Sequence, residues 1–262
     1  MEKEFKEFLD EHLKLTKDLR KDLYLASWNF EITGKEEWKN VRVDKEIEIT
    51  KIYADKEKYQ KLKAFEASGE VNEKLLKRQL TLLVNSFESE QKDDDLINKT
   101  IKLTAEINDK YNNYRGHIND NKVSDNDILK ILQESDDNEY RKKAWEASKE
   151  IGDQVADQVV EVVHLRNQAA TRLGYKNHYV MSLKLDEIDY DYLFKTLDKL
   201  KELTDEPFRQ EKGKLDKSLA KRFGIGVEDL RPWHYADPFF QEAPSHDDVD
   251  LIISSVIKML LI

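Results

Sequence analysis

The chain's potential metal ligands and general bases are six histidines, His12, His117, His164, His178, His234 and His246, together with its carboxylates. A zinc centre built on one helix needs two histidines at i and i+4, with a glutamate between them, so that both imidazoles face one ion. No pair here lies closer than twelve residues, and HEXXH is absent in every register. The inverted zinc motif, a phosphate-cradling glycine loop, a dinucleotide turn and a G-x-S-x-G elbow are absent too. With no cysteine, thiol nucleophiles, disulfides and thiolate-bound zinc are excluded.

Two smaller constellations remain. His234 and Asp237 lie three residues apart, and His246 is followed by Asp247, Asp248 and Asp250. An acidic run after a proline reads as a solvated helix start, because aspartate in a first turn meets the positive end of the helix dipole; this reading is preferred over a cation site. His164, in "VVEVVHLRNQAA", is a ligand or a core histidine bonded to a neighbour, and the core reading is preferred, with Arg166 and Asn167 tying helices together. For Trp28, in "LASWNF", core packing is preferred over a binding-site aromatic.

The densest chemistry lies in "DLRPWHYADPFFQEAP" at 229–244, which holds Pro232, Pro238 and Pro244 beside Trp233, His234, Tyr235, Phe239 and Phe240. Aromatics among prolines describe an irregular turn, for which Phe239 and Phe240 supply packing.

The elements that position such a turn are helices. Eight glycines and four prolines punctuate 262 residues, and the first proline is Pro207, so helices can run long; the expected fold class is all-α, with long amphipathic helices. Phe5, Phe8, Leu9, His12, Leu15, Leu19 and Leu23 form one helical stripe, and Val71, Leu75, Leu76, Gln79, Leu82, Leu83 and Phe87 another. "VRVDKEIEIT" at 41–50 alternates as a strand does, but an unbroken helix from Trp38 to Phe65 is preferred. The polar stretch 117–128 predicts a loop ending in an N-cap at Ser124 or Asp125. The longest helix is expected from about Asp136 to Leu173, closed by Gly174. One helix follows from about Asp189, and a separate one carries "KLDKSLAKRF" and stops at Gly224.

Charged residues make up 37% of the chain and hydrophobic ones 39%, while 11 Tyr, 10 Phe and 4 Trp argue against disorder. The net charge of −10 opposes binding to nucleic acid or anionic membranes. The first residues lack a secretory pattern, so a cytoplasmic location is expected. The apolar stretch "LIISSVIKMLLI" at 251–262 is shorter than the roughly twenty residues that span a bilayer.

Three segments, in order, resemble the amino-terminal half of the zinc peptidyl-dipeptidases related to angiotensin-converting enzyme, with thimet oligopeptidase and oligoendopeptidase F as more distant relatives. They are "LYLASWNFEITG" at 23–34, "RKKAWEASKEIG" with "VVHLRNQAATRLGYKNHYVMSL" at 141–183, and "LAKRFGIGVEDLRPWHYADPFFQEAP" at 219–244. The resemblance runs from about residue 20 to 250, and residues 251–262 depart from it. It implies a two-lobed helical metallopeptidase with zinc at the floor of a deep cleft, acting on small peptides. The family's zinc ligands and general base lie downstream of the matching segments. The resemblance therefore implies an amino-terminal part, residues 1–250, that binds no zinc itself, is truncated before HEXXH and is inactive alone, with a complementary carboxy-terminal chain as its partner. By resemblance, Trp233, His234 and Tyr235 contact the peptide. A half of such a fold would leave apolar helix faces uncovered. The alternative function is a stand-alone helical binding or scaffold protein, whose helix faces would be covered.

Overall fold

A computed structural model describes residues 1–237, and these form nine α-helices, one β-hairpin and two single 3-10 turns. The all-α expectation holds, and among the described residues no helix is long and apolar enough to cross a membrane. The contacts divide the described residues into two units: 1–114 with 151–199, and 115–150 with 200–237.

In the first unit, α1 (Glu2–Thr33) ends at Gly34, whose φ of 62° lets its N–H reach back to the Phe30 carbonyl. It packs along α2 (Glu36–Tyr53), which packs in turn on α5 (Asp94–Asn113). Lys39 on α2 and Asp109 on α5 form an ion pair at 2.5 Å. The expected helix from Trp38 to Phe65 is broken at Ala54 and Asp55. Asp55 is extended and its carboxylate accepts the Lys58 N–H at 3.0 Å, starting α3 (Lys56–Ser68) afresh. The break brings Tyr53, before it, and Leu62 and Phe65, after it, into one core with Phe5, Phe8 and Phe87. Aspartate competes with the helix for backbone N–H groups, which is why the break falls there.

The helix α4 (Lys74–Ser89) is capped by the Glu73 carboxylate, which accepts from the Leu75 and Leu76 N–H groups. Its inward residues are Leu80, Val84 and Phe87, whereas Leu75 and Leu82 of the expected stripe are exposed. On α1, Phe5, Phe8, Leu9 and His12 are buried as the stripe requires, but Thr16 and not Leu15 continues it. The unit is completed by residues from 151 onward of α7 (Asn138–Arg172), by α8 (His178–Leu185), and by the start of α9 (Tyr190–Phe223). Gly174, at φ 87°, closes α7 as expected, and the Tyr175 N–H bonds the Ala170 carbonyl.

In the second unit, the expected loop at 117–128 contains a hairpin. Strand β1 (Gly116–Ile118) pairs antiparallel with β2 (Asn121–Val123) through a turn at Asn119 and Asp120, both at positive φ (48° and 66°). Asparagine and aspartate tolerate that conformation better than other non-glycine residues, and two such residues in succession suit a tight hairpin turn. Ser124 then caps α6 (Asp125–Glu134) in a reciprocal box: its hydroxyl accepts the Asp127 N–H, and the Asp127 carboxylate accepts the Ser124 N–H. Ile118, Ile128, Leu132, Ala144 and Ala147 form the core, with Trp145 and Trp233 packed against it. A Cβ on Gly116 would come within 3.0 Å of Ala147, so only glycine lets the hairpin lie this close to α7.

The two helices expected between Asp189 and Gly224 are one. α9 passes through Pro207, which costs the N–H that would bond the carbonyl of Leu203 but leaves the flanking turns continuous. Gly224, at φ 66°, ends it, and single turns at Val227–Asp229 and Pro232–His234 follow.

Candidate functional site

Trp233, His234 and Tyr235 lie in the second unit on the turn that Pro232 opens. Proline pre-sets the first dihedral and lacks a donor that the turn would leave unused. The His234 N–H bonds the Arg231 carbonyl at 2.9 Å, and the His234 Nδ1 accepts the Arg231 N–H at 2.8 Å. Nδ1 is therefore unprotonated, which assigns the neutral ring's proton to Nε2. His234 is 4% exposed and its ring lies 5.0 Å from that of Phe223. Burial, then the nearby Arg141 charge, hold its pKa below the ordinary imidazole value.

Trp233 is half-buried, 5.9 Å from Trp145 and tilted at 60° to it, with the Lys142 ammonium 5.6 Å from its ring centre. The Tyr235 hydroxyl donates to Asp216 at 2.7 Å and accepts from Lys212 at 3.0 Å, and Lys212 bonds Asp216 at 2.6 Å. Burial raises the Tyr235 pKa, and the bond to Asp216 raises that of Lys212. Tyr235 is thus a neutral phenol tied to an ion pair on α9.

Behind the turn lies Arg141, on the first turns of α7 and fully buried. Its Nε donates to the Trp233 carbonyl at 2.8 Å, one terminal nitrogen to the Ser135 carbonyl at 2.8 Å, and the other to the Tyr235 carbonyl at 3.1 Å. The guanidinium also lies 4.8 Å from the Phe223 ring centre. Burial, then Arg222, lower its pKa to about 10, and Asp136 opposes this; it stays charged at neutral pH. Sequence reading passed over Arg141. Its signal was a charge on the stripe shared with Ala144 and Ala147, both buried.

Other residues singled out lie elsewhere. Trp28 is 65% exposed, which corrects the core reading: on α1 it faces away from buried Ala26 and Phe30, on a stripe with Tyr24, Leu25 and Ile32. His164 is also exposed and not a core histidine, since Val162 and Ala169 set the inward face of that part of α7. Asn167 does tie helices, accepting the His178 N–H that opens α8 at 3.0 Å. Phe239, Phe240, Pro238, Pro244, the cluster from His246 to Asp250 and the stretch 251–262 lie outside the described residues.

In the first unit, His12 is 5% exposed within Phe8, Tyr53 and Phe87. Arg20 donates to the Tyr53 hydroxyl, which lies 3.0 Å from His12 Nε2. The buried Nδ1 of His12 has no hydrogen-bond partner. Tyr59, at 3.1 Å, and Tyr175 both donate to Glu88, and burial pushes both phenols up, Tyr59 to about 12.

Among the described residues, no group of three or more His, Cys, Asp or Glu is placed to hold a metal ion. His234 with Asp237 does not fit a zinc site either: one imidazole nitrogen is occupied by the Arg231 N–H, and the ring faces inward. What the site can present is an aromatic surface on a turn fixed by hydrogen bonds. The family model for angiotensin-converting enzyme matches residues 1–210. No curated protein matches the chain.

Proposed function

We propose that this chain, which belongs to the angiotensin-converting enzyme family of peptidases, supplies a peptide-contacting wall of a zinc-dependent peptidase, while the zinc ligands and general base come from residues outside these 262. Zinc in such an enzyme lowers the pKa of its bound water and polarises the scissile carbonyl. This chain's residues would hold and orient the peptide. Trp233 and Tyr235, both half-buried, would supply their exposed aromatic surface, and buried His234 acts inwardly by fixing the turn.

The observation that carries the reading is the set of solvent-facing apolar side chains on long helices. Tyr24, Leu25, Trp28 and Ile32 are 50–66% exposed on α1, and Leu200, Leu203 and Phe208 are 51–67% exposed on α9. Such stripes exceed what a solitary soluble domain leaves uncovered, so they favour a complementary carboxy-terminal chain as partner. The alternative, a stand-alone helical scaffold, calls for covered faces, and these residues count against it.

The test is zinc content and peptide turnover. The chain alone should bind no stoichiometric zinc and release no dipeptide or other fragment from oligopeptides. Mixed with a carboxy-terminal half carrying HEXXH, it should restore cleavage. Tightly held zinc with turnover by the chain alone would overturn the proposal.

A further inference from the structure

We infer that Arg141 is the positioning residue of the Trp233–Tyr235 turn: its guanidinium fixes the directions of two carbonyls in that turn, and through them the presentation of the two aromatic side chains. The inference rests on the reading of this turn as a peptide contact.

A fully buried guanidinium is a costly way to fill space next to Ala144 and Ala147, because an ion loses its hydration on burial and an apolar side chain of similar volume would pack there without that loss. What the guanidinium supplies is geometry. Its planar fork addresses the Trp233 and Tyr235 carbonyls with two nitrogens while a third is held by the Ser135 carbonyl, just before α7. Ser135 also accepts from Arg222 at 3.4 Å, and Arg222 is held by Asp136 at 2.8 Å. The anchor is therefore braced before it reaches the turn.

Two carbonyls aimed at one guanidinium leave residues 233 and 235 little rotational freedom. With those directions set, the Trp233 ring lies against Trp145, and the Tyr235 hydroxyl meets Lys212 and Asp216. Charge alone does not accomplish this. A lysine ammonium in the same place has no fixed fork and cannot hold three carbonyls in one plane.

The experiment is amide hydrogen exchange on the full chain, comparing the parent with Arg141→Lys and Arg141→Met, alongside binding of a fluorescein-labelled hexapeptide. The amides of Arg231, His234 and Tyr235, which close the turn, should exchange at least about tenfold faster in both variants, while those of α6 and the hairpin stay within about twofold. The near-ultraviolet dichroism of the Trp145–Trp233 pair should fall, and peptide affinity should drop with it.

Unchanged exchange at the three amides would overturn the inference. So would acceleration spread equally over α6 and the hairpin, or unfolding of both variants, since Arg141 would then be a core residue without a specific hold on the turn. Selective acceleration with no peptide binding by any form, the parent included, would uphold Arg141 as the residue that positions the turn and sink the peptide-contact reading separately.

Discussion

His12 shows how a single side chain can make a fold depend on pH. Burial among aromatic rings, then the charges of Arg20 and Lys58, lower its pKa from 6.5 to about 4. The groups facing it are Arg20 from its own helix, Tyr53 from α2, Lys58 from α3 and Phe87 from α4. A histidine whose folded pKa lies below its unfolded value binds fewer protons when folded, so its stabilising contribution is complete above pH 6.5. It is lost as the pH falls from 6.5 through about 4, and changes little below that. Protonation would put a positive charge on a buried ring that Arg20 and Lys58 already repel. Denaturant unfolding across this window should show His12→Gln losing less stability than the parent, by on the order of 2 kcal/mol after allowance for solvent screening. Parallel pH profiles for the two proteins would show that His12 is not the titrating group.

At the level of elements, most helix starts are set by one polar side chain capturing a backbone N–H. Asp55 restarts a helix within an otherwise continuous pattern, and Asn177 starts α8 by accepting the Val180 N–H at 2.9 Å. Ser124 has the clearest role, joining the hairpin to α6 through its box with Asp127, whose carboxylate pKa is lowered by the Ser124 hydroxyl and then by its N–H. Ser124→Ala removes the acceptor for the Asp127 N–H and should cost about 1 kcal/mol. Unfolding of the parent and the variant, followed by circular dichroism, measures that loss. Amide exchange should place it in the first turn of α6, and uniform loss across all helices would contradict the assignment.

For the molecule as a whole, buried and exposed apolar surfaces coexist on the same helices. α1 buries Phe5, Phe8, Ala26 and Phe30 and exposes Leu25, Trp28 and Ile32. A net charge of −10 opposes aggregation, but exposed stripes of this kind drive association when the concentration rises. Light scattering on the purified chain should show mass increasing with concentration. Replacing Trp28 with Lys and Ile32 with Glu should move it toward the monomer mass without lowering the unfolding midpoint, because neither side chain is part of the core. A variant that unfolds early would mean these residues do hold the fold together.

The amphipathic stripe of α1, the glycine stops at Gly174 and Gly224 and the Ser124 cap were legible in the linear chain, because each depends on residues close together in sequence, and the family resemblance because runs of neighbouring residues carry it. The turn at Trp233–Tyr235 was visible for the same reason. Its anchor was not, since Arg141 is 92 residues from Trp233 and no local pattern links them. Periodicity marked α1 and α7 as amphipathic but could not say which apolar residues would be covered, so Trp28 and His164 were turned the wrong way. Breaks and continuities were also decided by packing: Asp55 ends a helix where Tyr53, Leu62 and Phe65 must share a core, whereas Pro207 does not. Local hydrogen bonding is written in neighbouring residues; burial depends on which distant surface arrives to exclude water, and only the tertiary structure decides that.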